Sequence, residues 1–414
     1  MRRPVRTVTM AVACLGALLA GAVGPGATGH AAVRSAQECA DPGQPINPMP
    51  WPQQMLGPER AWSFSQGGGV TVAVLDSGVD GSHPQLAGRV AAGFDAVAGG
   101  GSANDDCVGT GTQVAGVIAA GQAPSVGFVG LAPGVRILPI RVLDDRGGGR
   151  GIAEPDVLAR GIDAAANREA DVLAVSAVSY TDSPSLRDAV ARAVARGIVV
   201  VAAVGDRGDE NGASVIPYPA AYPGVVGVGA IDQAGERWRG SQQGTFVDLV
   251  APGAAVPTLQ RGAGMIQVDG TGVACAFVAA SVALVHARRG NPTVDEVVGQ
   301  LLATTIPAAG GDAYGHGIVN PYGAVTDRVA GAGPVPLPAM VRPPTETSPA
   351  LARSRNLAIA GSVVALLVVL TVLVTAVALP RGRRRLWRSA SAAAPVGRAE
   401  PEEPGPPVPL FPAG

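Results

Sequence analysis

The 414-residue chain contains no lysine, so its 31 basic residues are all arginine. Charged residues make up 15% of the chain and aromatic residues 4%. The basic residues nearly balance 32 acidic ones, which leaves a net charge of −1 and argues against a nucleic-acid partner. Histidine is also scarce, so few side chains are available as a general base near neutral pH. The four histidines are His30, His83, His286 and His316.

A short apolar run at the N-terminus predicts a secretory signal peptide. Arg2, Arg3 and Arg6 precede an apolar stretch from about residue 10 to residue 23, and small residues follow it. This order of charged, apolar and small residues is typical of a cleaved signal, here 1–32. An N-terminal anchor is the alternative, but the run is short and rich in glycine.

A second apolar run, 357–379, is uncharged and long enough to cross a bilayer core of about 30 Å as a helix. Pro380 is expected to end it, and an arginine-rich tail, 380–414, follows. Basic residues beside a span favour the cytoplasmic side. The sequence therefore predicts a single-pass protein of the cytoplasmic membrane, with its main domain outside. A buried core helix is the alternative reading of this run.

Between these two runs the chain predicts one large α/β domain, 67–330. It follows an N-terminal extension, 33–66, where prolines disfavour regular structure before about Met55, and it precedes a proline-rich linker, 331–356. Apolar strands alternate with helices, which predicts a mostly parallel sheet covered by helices on both faces. The predicted strands are 70–76, 137–143, 171–176, 198–204 and 225–231, and the predicted helices are 152–168, 185–196 and 294–304.

Four cysteines allow one disulfide in the secreted part. Cys14 lies in the predicted signal, whereas Cys39 and Cys107 lie in predicted loops outside the cytoplasm, where disulfides persist. The sequence therefore predicts a bond between Cys39 and Cys107. Cys275 then remains as a single buried thiol.

Three glycine-rich or acid-containing segments carry the functional signal. An apolar strand ends in Asp76-Ser77-Gly78, and the segments 109–120 (GTGTQVAGVIAA) and 270–283 (GTGVACAFVAASVA) each place a glycine turn before a helix of small residues. In this order they resemble the subtilisin-like serine proteases, the subtilases. The resemblance implies a subtilisin-like fold and covers roughly residues 50–327.

The resemblance also implies where a catalytic triad would lie. Asp76 matches the aspartate that orients the base. The family's histidine position holds Thr110, whose hydroxyl is no base near pH 7, and its serine position holds Gly272, which has no side chain. The asparagine that would stabilise the oxyanion is replaced by Asp206, whose carboxylate would repel the developing charge.

Two other side chains are candidates to replace the missing catalytic groups. His83 lies in a His-Pro segment that the family carries as a structural element, and Cys275 lies one helical turn beyond Gly272. A buried cysteine without a basic neighbour behaves as a small hydrophobic residue. The sequence therefore predicts a subtilase scaffold whose active site has lost two of three triad members.

The overall order of segments resembles the mycosins, which are membrane-anchored subtilases of actinobacterial type VII secretion systems. This resemblance implies a structural role in the type VII membrane complex. Two alternatives are a peptide-binding module that uses the old substrate cleft by strand addition, and a residual serine endopeptidase. The sequence predicts no cofactor and no metal site.

Overall fold

The computed structural model describes residues 39–124, 126–144, 151–209, 215–290, 292–327 and 349–384. The chain divides into two compact units between Pro338 and Ala339, and each unit is described by itself. The predicted signal peptide, the first part of the predicted linker and the tail beyond residue 384 lie outside the described residues.

The first unit is built on a seven-stranded sheet in which every neighbouring pair of strands is parallel. The strand order is β2-β3-β1-β4-β5-β6-β7, and a separate antiparallel hairpin follows it. The sheet strands are β1 (Thr71–Asp76), β2 (Phe94–Asp95), β3 (Arg136–Arg141), β4 (Val172–Val175), β5 (Val199–Ala203), β6 (Val225–Ile231) and β7 (Leu249–Pro252), and the hairpin strands are β8 (Val256–Leu259) and β9 (Met265–Val268).

Helices cover both faces of the sheet, as the sequence predicts. Val72 and Val74 of β1 pack into one apolar core, whereas Ala73 and Leu75 pack into the other. This period of two explains why the strands are apolar throughout. The helices of this unit are α1 (Trp51–Leu56), α2 (Pro58–Trp62), α3 (Thr110–Ala119), α4 (Pro155–Ala166), α5 (Pro184–Ala195), α6 (Thr271–Arg289), α7 (Val294–Ala303) and α8 (Pro321–Thr326).

The two central helices, α3 and α6, lie on the same face of the sheet. Small residues dominate both, and fourteen residues of α6 are buried. Where α3 passes β1, a methyl group on Gly111 would lie 1.9 Å from the Gly78 carbonyl oxygen, so only glycine fits there. The small residues predicted for these helices therefore allow the close approach that brings their N-termini to the end of β1.

The N-terminal extension contains more regular structure than the sequence predicts. Helix α1 begins at Trp51, four residues before the point where regular structure is expected. Pro50 and Pro52 lie at its start, where proline loses no hydrogen bond and its fixed φ suits a helix. Further back, Gln44 pairs with Met265 and adds an antiparallel bridge to the β8–β9 hairpin.

The second unit is described by one helix, α9 (Pro349–Arg384). It contains an apolar stretch, Asn356–Ala376, with a mean hydropathy of 2.9 and no buried residues, which makes it a candidate membrane span. The helix begins inside the predicted linker and continues past Pro380, so the expectation that this proline ends the helix is wrong. A proline removes one backbone donor and tends to kink a helix, but a helix can continue through it.

Candidate functional site

A cleft of about 330 Å³ lies where β1 ends and where α3 and α6 begin. Parallel strands bring their carboxyl ends to one edge of a sheet, and the helices that follow start at that same edge. The cleft brings together all four positions that the subtilase resemblance singles out. These positions are Asp76, Thr110, Asp206 and Gly272.

The carboxyl group of Asp76 is only 3% exposed, and hydroxyl groups surround it. Its Oδ1 accepts hydrogen bonds from Thr110 Oγ1 at 2.5 Å and from the Ser77 N–H at 2.7 Å. Its Oδ2 accepts a hydrogen bond from Ser176 Oγ. Thr110 therefore occupies the direction in which a triad histidine would meet the aspartate, and it partners the carboxyl group without supplying a base.

The hydroxyl contacts continue from Asp76 to a second buried carboxyl group, Asp106. Thr110 Oγ1 lies 2.9 Å from Ser77 Oγ, which donates a hydrogen bond to Asp106 Oδ1 at 2.8 Å. Asp106 also accepts hydrogen bonds from the Gly109 N–H, the Thr112 N–H and the Thr112 hydroxyl, at 2.7 to 2.8 Å. Asp106 therefore caps the first turn of α3 and ends a chain of hydroxyl contacts that starts at Asp76.

Burial raises the pKa of Asp76, and the nearby Asp106 adds to that rise, while the hydrogen bonds from Ser176, Thr110 and Ser77 oppose it. The direction of the pKa shift favours the neutral form of Asp76 more than in an exposed aspartate, whereas the surrounding donors stabilise its carboxylate form.

Gly272 lines the cleft and contributes no side chain to it. Gly272 is the second residue of α6, and a methyl group there would lie 3.2 Å from Ser176 Cβ and 3.3 Å from the Ser176 carbonyl oxygen. These distances are slightly tight, so a serine would need a shift of a few tenths of an ångström. The position therefore accommodates a side chain at little steric cost, and its backbone remains at a helix start.

Asp206 works as a helix cap. Its Oδ1 accepts hydrogen bonds from the Thr271 N–H at 2.8 Å and from the Thr271 hydroxyl at 2.7 Å. Helix α6 has no cap from its own N-cap residue, Gly270, so Asp206 supplies one from a neighbouring loop. Asp206 is exposed to solvent in the cleft, but the cleft walls remove part of the water around its carboxyl group. This desolvation raises the pKa of Asp206, and the nearby Asp269 adds to the rise, while the hydrogen bonds from Thr271 oppose it.

The loop that carries Asp106 is held by the N-terminal extension. A disulfide joins Cys39 to Cys107, which is the pairing that the sequence predicts. The Ala40 N–H donates to the Cys107 carbonyl oxygen at 2.9 Å. Arg261 adds a second link, because its guanidinium donates to the carbonyl oxygens of Ala40 and Asp106 at 2.8 and 2.9 Å. The extension thus fixes the segment that positions Thr110.

The two candidate substitutes, His83 and Cys275, do not provide a reactive group in the cleft. Cys275 is fully buried, its thiol lies 3.4 Å from the Val201 carbonyl oxygen, and burial raises its pKa above the ordinary thiol range. His83 is buried against the Gly264 carbonyl oxygen, and burial lowers its pKa. Neither of them lines the cleft, and neither do His286 and His316.

Two residues that hydrogen-bond to Asp76 and to its neighbours are not predicted from the sequence. Ser176 is the last residue of a predicted strand, and Asp106 lies in the Asp105-Asp106-Cys107 segment. Neither had a predicted role. Ser176 is a polar residue at the end of an otherwise apolar strand. This is a weak indication that its side chain contacts Asp76. Nothing in the spacing identifies Asp106, because its contacts depend on how the loop folds back onto α3.

Comparisons with known proteins agree with this architecture. A sequence model of the subtilase family matches residues 67–328. Subtilisin from Bacillus pumilus is 35% identical over 254 residues, which cover 61% of this chain and 90% of that protein. The chain therefore belongs to the subtilase family.

Two solved structures point to one branch of this family. The crystal structure of MycP1 from Mycobacterium smegmatis aligns with a TM-score of 0.63 and 29% identity, over 74% of this chain and 93% of that one. The MycP3 protease from the type VII (ESX-3) secretion system aligns with a TM-score of 0.62 and 29% identity, over 70% and 93%. Within the subtilases, the chain is of the mycosin type.

The raised pKa of Asp76 predicts a pH-dependent stability. The folded chain binds a proton on Asp76 more tightly than the unfolded chain. This proton therefore contributes to stability at pH values below the ordinary pKa of aspartate. It is lost as the pH rises through the raised folded-state pKa. Asp76→Asn keeps the acceptor oxygen without a titrating group. We therefore expect the stability of Asp76→Asn relative to the native protein to increase across this window, as measured by urea unfolding at a series of pH values. A difference that stays constant with pH would contradict this.

The capping role of Asp206 predicts a loss of stability when the acceptor is removed. Asp206→Ala leaves the Thr271 N–H without its partner and should lower the free energy of unfolding by about 1 kcal/mol. Asp206→Asn retains an acceptor oxygen and serves as the matched control, with a smaller loss. Chemical denaturation of the three proteins at one pH measures this. Equal stability of the alanine variant and the native protein would rule out the cap.

Proposed function

We propose that the chain is a catalytically inactive, membrane-anchored subtilase that acts as a structural component of a type VII secretion complex, outside the cytoplasmic membrane. The observation that carries the proposal is the contact between Thr110 Oγ1 and Asp76 Oδ1 in a cleft whose nucleophile position is Gly272. The fold of a protease is retained there, and the groups that perform its chemistry are replaced.

The chemistry of the cleft supports inactivity. Peptide hydrolysis by this family needs a nucleophile, a base that accepts its proton and donors for the oxyanion. Gly272 has no side chain and Thr110 accepts no proton near neutral pH. Asp206 is an acceptor engaged by Thr271, so it offers no donor for a developing negative charge. Each of the three tasks therefore lacks the group that would perform it.

The hydrogen bonds in the cleft also support a stable, folded domain. The buried carboxyl group of Asp76 has hydrogen-bond partners, and both central helices receive caps from neighbouring loops. Unpartnered carboxyl groups in a buried site would destabilise the fold by several kcal/mol. The replacements at the catalytic positions thus leave a domain with its polar groups satisfied.

The membrane and secretion parts of the proposal rest on other observations. The stretch Asn356–Ala376 is about 31 Å long as a helix, which matches the hydrocarbon core of a bilayer. Arginines follow it in the sequence, which favours a cytoplasmic C-terminus. The likeness to MycP1 and MycP3 supports an association with a type VII secretion system.

One observation favours a second role for the cleft, the capture of an extended peptide. Ile152 is 44% exposed at the cleft rim, and its own N–H and carbonyl groups have no hydrogen-bond partner among the described residues. The adjoining Gly151 and Ala153 already pair with Val178, which holds this segment in an extended form. A peptide strand would pair with Ile152, as in other cases of strand addition.

Complementation of a deletion strain tests the proposed function. We expect loss of the gene to abolish type VII secretion in the bacterium that encodes it, and the Asp76→Asn protein to restore secretion fully. A chain that ends at residue 338, and so lacks the candidate span, should fail to restore it. Normal secretion in the deletion strain, or restoration by the truncated chain, would contradict the proposal.

The same assay separates the two roles of the cleft. Ile152→Pro removes the N–H group that would pair with a peptide, and Ile152→Ala is the control that keeps it. A scaffold that does not use the cleft should tolerate both changes. Loss of secretion with the proline variant alone, at unchanged melting temperature, would instead assign the function to peptide capture.

A further inference from the structure

A second cavity, of about 630 Å³, lies at the end of the sheet where β1 and β3 begin. The cleft with Asp76 lies at the other end of β1, so the two sites are separate. Two arginine side chains, Arg89 and Arg136, line this cavity. Its described lining contains no carboxylate side chain, so it has a positive charge that no lining group neutralises.

Arg89 is held in place by contacts with the backbone. Its Nε donates a hydrogen bond to the Pro133 carbonyl oxygen at 3.0 Å. Its guanidinium lies flat against Gly121, where a methyl group would approach the guanidinium carbon and both terminal nitrogens to 2.9 Å. The terminal nitrogens of Arg89 have no acceptor among the described residues. Their N–H groups are therefore available to bind a ligand.

Arg136 is placed beside Arg89 by the pairing of the backbone. It is the first residue of β3, and the N–H of the next residue, Ile137, donates to the Arg89 carbonyl oxygen at 2.8 Å. The Arg136 side chain is exposed and forms no ion pair in the described part of the chain. Asp171 lies near this edge, but its Oδ2 accepts the Thr71 N–H at 2.8 Å and pairs with neither arginine.

Two glycine turns also line the cavity. Gly69 and Gly88 line it, have positive φ values of 83° and 76°, and would meet no atom within 4 Å if they carried a methyl group. Their N–H groups have no partner among the described residues. The space beside these two glycines is therefore not filled by protein atoms of the described residues.

We propose that Arg89 and Arg136 form a binding site for an oxyanion, that is, a carboxylate or a phosphate group. A guanidinium matches either group with paired donors, and these charge-assisted bonds are stronger than neutral ones. Arg89 is already ordered, so it loses little conformational freedom on binding. The site does not depend on the proposed secretion role, and it uses no residue of the cleft.

The test is the effect of anions on the melting temperature of the full-length protein in detergent. Sodium phosphate and sodium acetate are titrated separately, with sodium chloride added to hold the ionic strength constant. A ligand that binds only the folded state raises the melting temperature in a saturable way. We expect this rise for at least one anion, and the anion that binds more tightly identifies the source as phosphate or carboxylate.

Three variants show whether the two arginines are responsible. Arg136→Gln and Arg89→Gln should each weaken the apparent affinity about tenfold or more, because each removes a charge-assisted partner. Arg196→Gln is the matched control, since Arg196 contacts Asn167 at the surface and does not line the cavity. If Arg89→Gln fails to fold, the exposed Arg136 still provides the test. The proposal is wrong if neither anion gives a saturable rise, or if the rise persists in Arg136→Gln.

Discussion

The arrangement of the cleft depends on one constraint, the need to satisfy a carboxyl group that is buried at the end of β1. In an active protease of this family, a histidine meets that carboxyl group. Here Thr110, Ser77 and Ser176 surround it, and a chain of hydroxyl contacts leads on to Asp106. An isolated buried carboxylate costs several kcal/mol, so these hydrogen-bond partners stabilise the domain around Asp76.

Asp206 also stabilises the fold through hydrogen bonds within the cleft. A donor at this position would assist catalysis, whereas the carboxylate accepts two hydrogen bonds from Thr271 and caps α6. The cap lies at the helix that passes through the centre of the core. Asp206 and Thr110 are therefore part of the hydrogen bonding of the fold, which supports the scaffold role that we propose.

Much of the fold was predictable because it follows from local patterns. The alternation of apolar strands with helices predicts the parallel sheet, and strand β6 has the predicted bounds, 225–231. The β8–β9 hairpin and its bridge to Gln44 were not predicted, because that pairing joins segments far apart in the sequence. Helix α1 is not predicted, because a high density of proline disfavours regular structure, although proline is compatible with the first turn of a helix.

The candidate site was predictable only in part, for a similar reason. Flanking glycine turns locate Thr110 and Gly272, because such turns mark where a helix begins. The groups that hold Asp76, above all Ser176 and Asp106, come from other segments, and their contacts arise only when the sheet and the loops assemble. Local sequence therefore predicts which catalytic groups are absent, and the structure shows which groups bond to Asp76 and to Thr271.

We propose that the cleft keeps the shape of a subtilase active site but lacks its reactive groups. The most direct measurement is labelling by a fluorophosphonate probe, applied to the native protein and to a Thr110→His/Gly272→Ser/Asp206→Asn variant. We expect the native protein to stay unlabelled and the triple variant to be labelled. Labelling of the native protein would contradict the account, because it would reveal a nucleophile that neither the sequence nor the cleft contains.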